Sequence, residues 1–544
     1  VGLNFDPLVL KDSKQIPRSR FDHMEPIMWS PSAKLPQKEM DTIPIDSMYA
    51  LEFRNSLKDT SKFDQLKDKV EVGQSGYSEK KYWDSIKKCD KEPIKPNNEF
   101  YDLAKKFAEI HLSFLSGSQP NLDVEFNWDT GSGVPHHLRG RQKKSDWLER
   151  SETEGVKLCK EFYEILSQRY TPVWKVPPKE EFLSKEEIIA GKLRTFFIPP
   201  IDFLTWQKFF WSEMDDRMLK ANKNCWSKYG YSKSGGGFDS FFKEIQKFMI
   251  KWMSDISGWD RVLSIMGDVY ELRKKFLDCP EHLKEILEWV IENTIHPCCA
   301  FNDGSIYKRK CGNGSGSNET TTDNTIAHII IMFYILICLF YDKYMRLPEY
   351  EEILNNTFVG LYGDDNSGGL DDQYFGVTVE EFREKLISLY GDFGLVVKQS
   401  ALQIEGHIGP VRNLEFLGST TVYDEVRDVY YPYPRFKKII ATIFYKLPRE
   451  EESLTSVASK ITALYDLIAP FENEEAILLK DFLTDYSEFI LRKPGLRSDQ
   501  IRDLLGVSRK SRSYLDKMLG WESFEQIESV CFFSDSNKCR GGEG

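Results

Sequence analysis

Residues 356–370, NTFVGLYGDDNSGGL, constrain the chain more than any other stretch. A strand-like run ends at Tyr362, a Gly-Asp-Asp-Asn cluster interrupts it, and a second run leads to Leu370. This pattern predicts a β-hairpin with Asp364 and Asp365 at its tip. Two adjacent carboxylates repel each other, so the tip is either an ordinary Asp-rich turn or a place where a cation offsets that repulsion. A bare Gly-Asp-Asp suits the first reading at least as well as the second.

A second acidic element shifts the balance. KWMSDISGWDRVLS (251–264) reads as a strand end followed by helix after Gly258. Asp255 and Asp260 share a face only across such a strand-to-turn-to-helix corner. Two Mg²⁺ ions about 4 Å apart require a cluster of hard anionic oxygens, which a strand end beside a hairpin tip can supply. Between these elements lies GNGSGSNETTTDNTIAH (312–328). Small residues such as Gly316 let backbone approach a ligand closely. Ser315, Thr320 and Asn324 are polar, and Thr320 and Asn324 stand one helical turn apart. The following run 329–341, IIIMFYILICLFY, falls short of the roughly 20 apolar residues of a membrane span and is expected to be a buried core helix.

At 544 residues the chain exceeds one simple core. Its net charge of −12 argues against an all-over basic nucleic-acid binder, though not against a basic channel within an acidic shell. Basic clusters occur at 139–144, 308–310, 435–438 and 509–512. Ten cysteines without CxxC spacing fit reduced, mostly buried thiols. The start VGLNFDPLVLKDSK lacks the features of a secretory signal. Residues 1–100 are expected to be extended and loop-rich, and residues after 430 mostly helical. The tail CRGGEG reads as flexible.

Taken together, these elements resemble the motifs of RNA-dependent RNA polymerases of positive-strand RNA viruses, in the picornavirus-like supergroup. Asp255-x4-Asp260 resembles motif A, Ser315-Gly316-x3-Thr320-x3-Asn324 motif B, and Tyr362-Gly363-Asp364-Asp365 motif C. Thr130-x2-Gly133-x-Pro135 resembles motif G, and residues 178–196, with Lys179, Lys192 and Arg194, motif F. A helix capped by Thr378 and Glu381, with a buried stripe of Val379, Phe382, Leu386 and Leu389, precedes Lys398 and resembles motif D. LEFLGST (414–420) resembles motif E, although Gly418 and Ser419 stand where picornaviruses commonly carry Lys-Arg. The likeness covers residues 129–440, and RTFFIPPIDFLTWQKFF with GYSKSGGGF is more similar to astrovirus-like or sobemovirus-like enzymes.

The resemblance implies a mixed α+β fold, a closed right hand of fingers, palm and thumb with an antiparallel palm sheet backed by helices. It places the N-terminal region and fingers at 1–250, the palm at 251–430 with 270–312 returning to the fingers, and the thumb and tail at 431–544. The implied function is RNA-directed RNA synthesis by two-metal nucleotidyl transfer, with two Mg²⁺ ions and Mn²⁺ as a substitute. Asp255 and Asp364 would be the principal metal ligands, Asp365 a secondary one, and Lys398 the proton donor to pyrophosphate. Asp260, Ser315 and Asn324, set by Thr320, would read the ribose 2′-hydroxyl. Lys179, Lys192 and Arg194 would line the nucleotide tunnel. Thr130, Gly133, Pro135, Gly316, Arg435 and Lys437 would contact RNA. His136 and His137 are expected to be neutral or RNA-facing. Implied partners are template and product RNA and nucleoside triphosphates, with a protein primer and other viral replication proteins as further candidates. No intrinsic membrane span is expected, and the implied place is host cytoplasm, at membrane-associated replication complexes. The competing readings are a catalytically silent RNA-binding scaffold and a DNA-forming polymerase, the latter disfavoured by Asp260 with Asn324.

Overall fold

The computed structural model describes residues 2–508 except 36, 122–124, 152–154 and 234. The basic cluster 509–512 and the CRGGEG tail lie outside the described residues. At the centre is a four-stranded antiparallel sheet made of β1 (Ile250–Ser254), β2 (Thr357–Tyr362), β3 (Asp365–Leu370) and β4 (Gln403–Gly406), in the order β2-β3-β1-β4. The predicted hairpin is thus present, with Gly363-Asp364 as its turn. Helices α1 (Thr320–Tyr344) and α2 (Val379–Gly391) pack on this sheet, and Trp252 meets Phe382 with ring centroids 5.1 Å apart.

α1 is longer than the apolar run at 329–341 suggested. Its 25 residues are long and apolar enough, by length and composition, to cross a membrane. Here every residue from Thr322 to Phe340 is buried, and Glu99–His111 lies alongside, so the helix forms the middle of the core. α2 starts with the predicted capping box. The Glu381 N–H donates to Thr378 Oγ1 at 3.2 Å, and the Thr378 N–H to the Glu381 carboxylate at 2.8 Å. Its fully buried stripe is Phe382, Leu386 and Tyr390, so Tyr390 takes the place expected of Leu389, while Val379 is only half-buried.

A second sheet, of mixed direction, joins Glu25–Trp29, Ser305–Lys308, Cys298–Ala300 and Val173–Lys175. Beyond β4, the strands β5 (Glu415–Phe416), β6 (Ser419–Asp424) and β7 (Val429–Pro434) form a meander. Helices Leu454–Ile468, Glu474–Leu491 and Ser498–Ser508 then share a separate core.

The first hundred residues depart from the loop-rich expectation, with helices at Met48–Ser56, Ser61–Lys69 and Glu79–Lys87. Phe53 stacks on Tyr486 at 4.7 Å within the C-terminal helical core. Ile45–Asp46 pairs with Tyr445–Lys446, whereas Val72–Gln74 pairs with Phe182–Ser184. This N-terminal segment therefore ties the C-terminal helices to the basic stretch 178–196. Of the ten cysteines, the eight among the described residues are free thiols, and all but Cys279 are buried.

Candidate active site

The register of β3 on β1 builds the acidic centre. Asn366 faces Ser254, and their side chains interlock: Ser254 Oγ donates to Asn366 Oδ1 at 3.0 Å, and Asn366 Nδ2 to the Ser254 carbonyl at 2.9 Å. This fixes the hairpin tip beside Asp255, the residue that follows β1. Gly363 turns the chain at φ +64°, a left-handed conformation that side-chain-bearing residues rarely adopt.

α1 grips the turn from beneath. Thr325 Oγ1 accepts the Gly363 N–H at 2.8 Å, and His328 Nδ1 meets the Gly363 carbonyl at 2.9 Å. Because a carbonyl can only accept, Nδ1 carries the proton, and Nε2 accepts from Tyr390 on α2 at 2.7 Å. His328 is fully buried, and desolvation pushes its pKa down to about 4, which keeps it neutral. Neither Thr325 nor His328 was expected from sequence. The signal was their place in the first three turns of the helix that follows the Gly-rich loop.

The carboxylates at the tip are open to water, yet enough protein surrounds them to displace bulk solvent. Desolvation, with repulsion from Asp260, Asp365 and Asp255, pushes Asp364 up to about 7. Asp365 rises to about 6, again chiefly by desolvation and then by Asp255. Asp255 is held otherwise. Val396–Val397 pairs with Ile256–Ser257, the Lys398 N–H donates to the Asp255 carbonyl at 2.8 Å, and Lys398 Nζ reaches both Asp255 carboxylate oxygens at 2.9 and 2.7 Å.

Among the described residues no three His, Cys, Asp or Glu side chains converge closely enough to hold a metal ion. The chemistry of the set nonetheless fits Mg²⁺. The donors are hard oxygens, and their mutual repulsion is what a divalent cation relieves.

Asp260 and Asn324 meet as expected, Asn324 Nδ2 donating to Asp260 Oδ1 at 2.5 Å. Burial pushes the Asp260 carboxyl up, and Asn324 and the cations Arg309, Arg261 and Lys179 offset part of that rise. Ser315 does not join them. Its Oγ accepts from the Phe197 N–H at 3.4 Å, and Asn313 takes its place, with Nδ2 donating to Asn324 Oδ1 at 3.0 Å. Thr320 Oγ1 closes the loop onto the Gly314 carbonyl at 2.7 Å, while Gly316 sits against the Phe197 carbonyl.

Of the three basic residues placed on the nucleotide tunnel, Lys179 is exposed. The other two are paired: Lys192 with Glu187 at 2.6 Å, and Arg194 with both oxygens of Glu181. Arg194 still lies within electrostatic reach of Asp364. Arg435 is paired with Glu415 at 2.5 Å and Lys437 with Glu71 at 3.2 Å. Thr130 Oγ1 bonds the Asn127 carbonyl at 2.7 Å. Gly133, at φ +90°, allows a close approach to this chain's own Pro200, where a Cβ would lie 2.6 Å from Cα. Pro135 leads into buried His136, whose Nε2 lies 2.9 Å from Asp202 Oδ1, so this histidine is structural and not RNA-facing.

Comparison with known proteins agrees with this geometry. The family model for viral RNA-dependent RNA polymerase matches residues 36–477. The chain is 29% identical over 226 residues to the genome polyprotein of Plum pox potyvirus (strain El amar), covering 41% of this chain and 14% of that one. It is 24% identical over 366 residues to genome polyprotein 1 of Barley mild mosaic virus (strain Na1), covering 63% and 15%. To the non-structural polyprotein 1AB of Turkey astrovirus 2 it is 22% identical over 359 residues, covering 63% and 21%. The chain thus spans about a fifth or less of these relatives. In fold it is similar to the Sicinivirus 3Dpol RNA dependent RNA polymerase, with TM-score 0.65 and 14% identity over 90% of this chain and 100% of that one. The hairpin tip, the corner at Asp255 and the helix that grips them are those of a chain that belongs to the viral RNA-dependent RNA polymerase family.

Proposed function

We propose that the chain extends RNA on an RNA template by two-metal nucleotidyl transfer, and that Asp255, Asp364 and Asp365 hold the metal ions. The observation that carries this reading is the gathering of Asp255, Asp260, Asp364 and Asp365 within mutual repulsion, beside a polar clamp made by Asn324. When bound, Mg²⁺ would lower the negative charge at the reacting phosphate and assist ionisation of the attacking hydroxyl.

The residues of the chain position the rest. The 3′-hydroxyl of the growing strand gives its proton to solvent, its oxygen forms a bond to the α-phosphorus, and the bond to pyrophosphate breaks. Lys398, which must leave Asp255 to do so, gives the proton to the departing oxygen. Asp260 and Asn324, braced by Asn313, hydrogen-bond the ribose 2′-hydroxyl, so a deoxyribonucleotide leaves them unpaired. Arg194 and Lys192 exchange their glutamate partners for triphosphate oxygens, where the guanidinium can bind bidentately. The division into fingers, palm and thumb near 250 and 430, and action in host cytoplasm at membrane-associated complexes with other viral replication proteins, belong to the same reading.

Primer extension on a short RNA template with ribonucleotides and Mg²⁺ tests it, wild type against Asp364→Ala. Extension that disappears in the variant while RNA affinity survives is the expected result. If both proteins bind RNA but neither extends it with Mg²⁺ or Mn²⁺, the chain is a silent scaffold.

A further inference from the structure

Motif E poses a chemical problem. Its turn, Leu417-Gly418 between β5 and β6, leads into Ser419 and has no basic residue of its own to meet a nucleic-acid backbone. The two nearby cations suggested by sequence are neutralised, Arg435 by Glu415 and Lys437 by Glu71. Yet the turn faces open space, since a Cβ at Gly418 would meet nothing within 4 Å.

A lysine from elsewhere fills this role. Lys233 lies in the Gly-rich segment 230–238, almost two hundred residues before the turn. Its Nζ reaches across to donate to the Leu417 carbonyl and to Ser419 Oγ, both at 2.8 Å. Both partners are neutral, and among the described residues no carboxylate pairs with this ammonium. Its charge is instead felt at the catalytic tip, where it and Arg435 are the cations that partly offset the rise at Asp365. Partial burial lowers the pKa of Lys233, and the field of Asp365 opposes that shift. A half-buried, charge-unpaired ammonium, set in an open turn next to the acidic centre, lacks only an anion.

Building on the polymerase reading, we propose that Lys233 binds a backbone phosphate of the growing RNA strand near its 3′ end, supplying from the fingers side the positive charge that motif E lacks. The turn backbone and Ser419 aim the ammonium, and Lys233 in turn pins segment 230–238 to the meander. Lys233 is a positioning residue. It fixes where the 3′-terminal nucleotide lies relative to Asp255 and Asp365, and it takes no part in bond making.

The test is equilibrium binding of primed and unprimed RNA over a salt series, with primer extension alongside. In Lys233→Met, the dissociation constant for primed RNA should rise by about three- to tenfold at low salt, and the salt slope should fall by about 0.7–0.9, the share of one phosphate contact. Unprimed template should bind as in wild type. Lys233→Arg should retain affinity and slope. If Lys233→Met does not fold, Lys233→Gln, a polar side chain without the charge, carries the same expectation. An unchanged slope for primed RNA overturns the proposal, and so does an equal loss on unprimed RNA, which would mark a purely structural lysine. A wild type that binds primed RNA but never extends it overturns the polymerase reading instead, and the slope still judges Lys233.

Discussion

Lys398 Nζ lies within hydrogen-bond distance of both carboxylate oxygens of Asp255, where a divalent cation would otherwise place its charge. The two-residue ladder of Val396–Val397 on Ile256–Ser257 enforces this pairing. The ammonium and the metal therefore compete for one carboxylate. Lys398→Met should bind Mn²⁺ several-fold more tightly in the absence of substrate, read by electron paramagnetic resonance, yet turn over roughly 10²-fold more slowly, the usual range for a lost proton donor. Unchanged Mn²⁺ affinity would show that the pair does not gate the site.

The hairpin tip gives a pH signature. Asp364 is pushed up to about 7 and Asp365 to about 6, so both bind protons more tightly folded than unfolded, where carboxyls titrate near 4. Their effect on stability is most favourable below that unfolded value and is lost as pH rises through 6 and 7. In EDTA, Asp364→Asn should therefore raise the melting temperature at pH 8 and change it little at pH 4. Mg²⁺ must displace these protons, so its apparent affinity should increase from pH 6 to pH 8. Equal melting shifts at the two pH values would contradict the burial and repulsion described here.

His328 links the turn to α2. Substituting leucine strands the Gly363 carbonyl in a dry interior, at a cost of about 1–3 kcal/mol, and leaves the Tyr390 hydroxyl only Ser254 as a partner. Chemical denaturation of His328→Leu should show a loss in that range, and extension should fall with it as the turn shifts. For the wild-type histidine, whose pKa is depressed to about 4, the stabilising effect is present above 6.5 and is lost as pH falls towards 4. The leucine variant should lack that acid-side loss.

Asn313 should behave as a weaker version of Asn324. Asn324→Ala should reduce discrimination between ribo- and deoxyribonucleotides, measured as the ratio of kcat/KM values, by about 10²-fold or more. Asn313→Ala, which frees the Asn324 side chain without removing it, should reduce the ratio by a smaller factor. Ser315→Ala should change it least, because Ser315 is bonded to the Phe197 N–H.

What could be read from the sequence was local chemistry. The hairpin, the corner after Gly258 and the Thr378–Glu381 cap each depend on residues a few positions apart, and each is present. Contacts that depend on packing could not be read this way. Nothing near His328 in the chain points to Gly363 or Tyr390, and nothing near Lys233 points to a turn at 417–419. The pairing of Lys192 and Arg194 was more accessible, since Glu187 and Glu181 stand in the same motif. The basic positions of that stretch point to phosphate, while the acids between them supply their partners in the protein alone. The N-terminal helices were missed for another reason. Their apolar faces are short, and Phe53 and Phe63 complete a core whose other half begins only at Val429.

α1 has a consequence for biosynthesis. When it leaves the ribosome, Glu99–His111 already exists to cover one side, but β2, β3 and α2 have not yet been made. For that interval the nascent chain displays an apolar segment as long as a membrane span, covered by Glu99–His111, Trp226 and Met266–Phe276 but not yet by the hairpin or α2. Productive folding of this chain is then a race between translation of the next fifty residues and capture of that segment by a chaperone or a bilayer. Codon usage and elongation speed downstream of Tyr344 therefore bear on how much active protein a cell obtains.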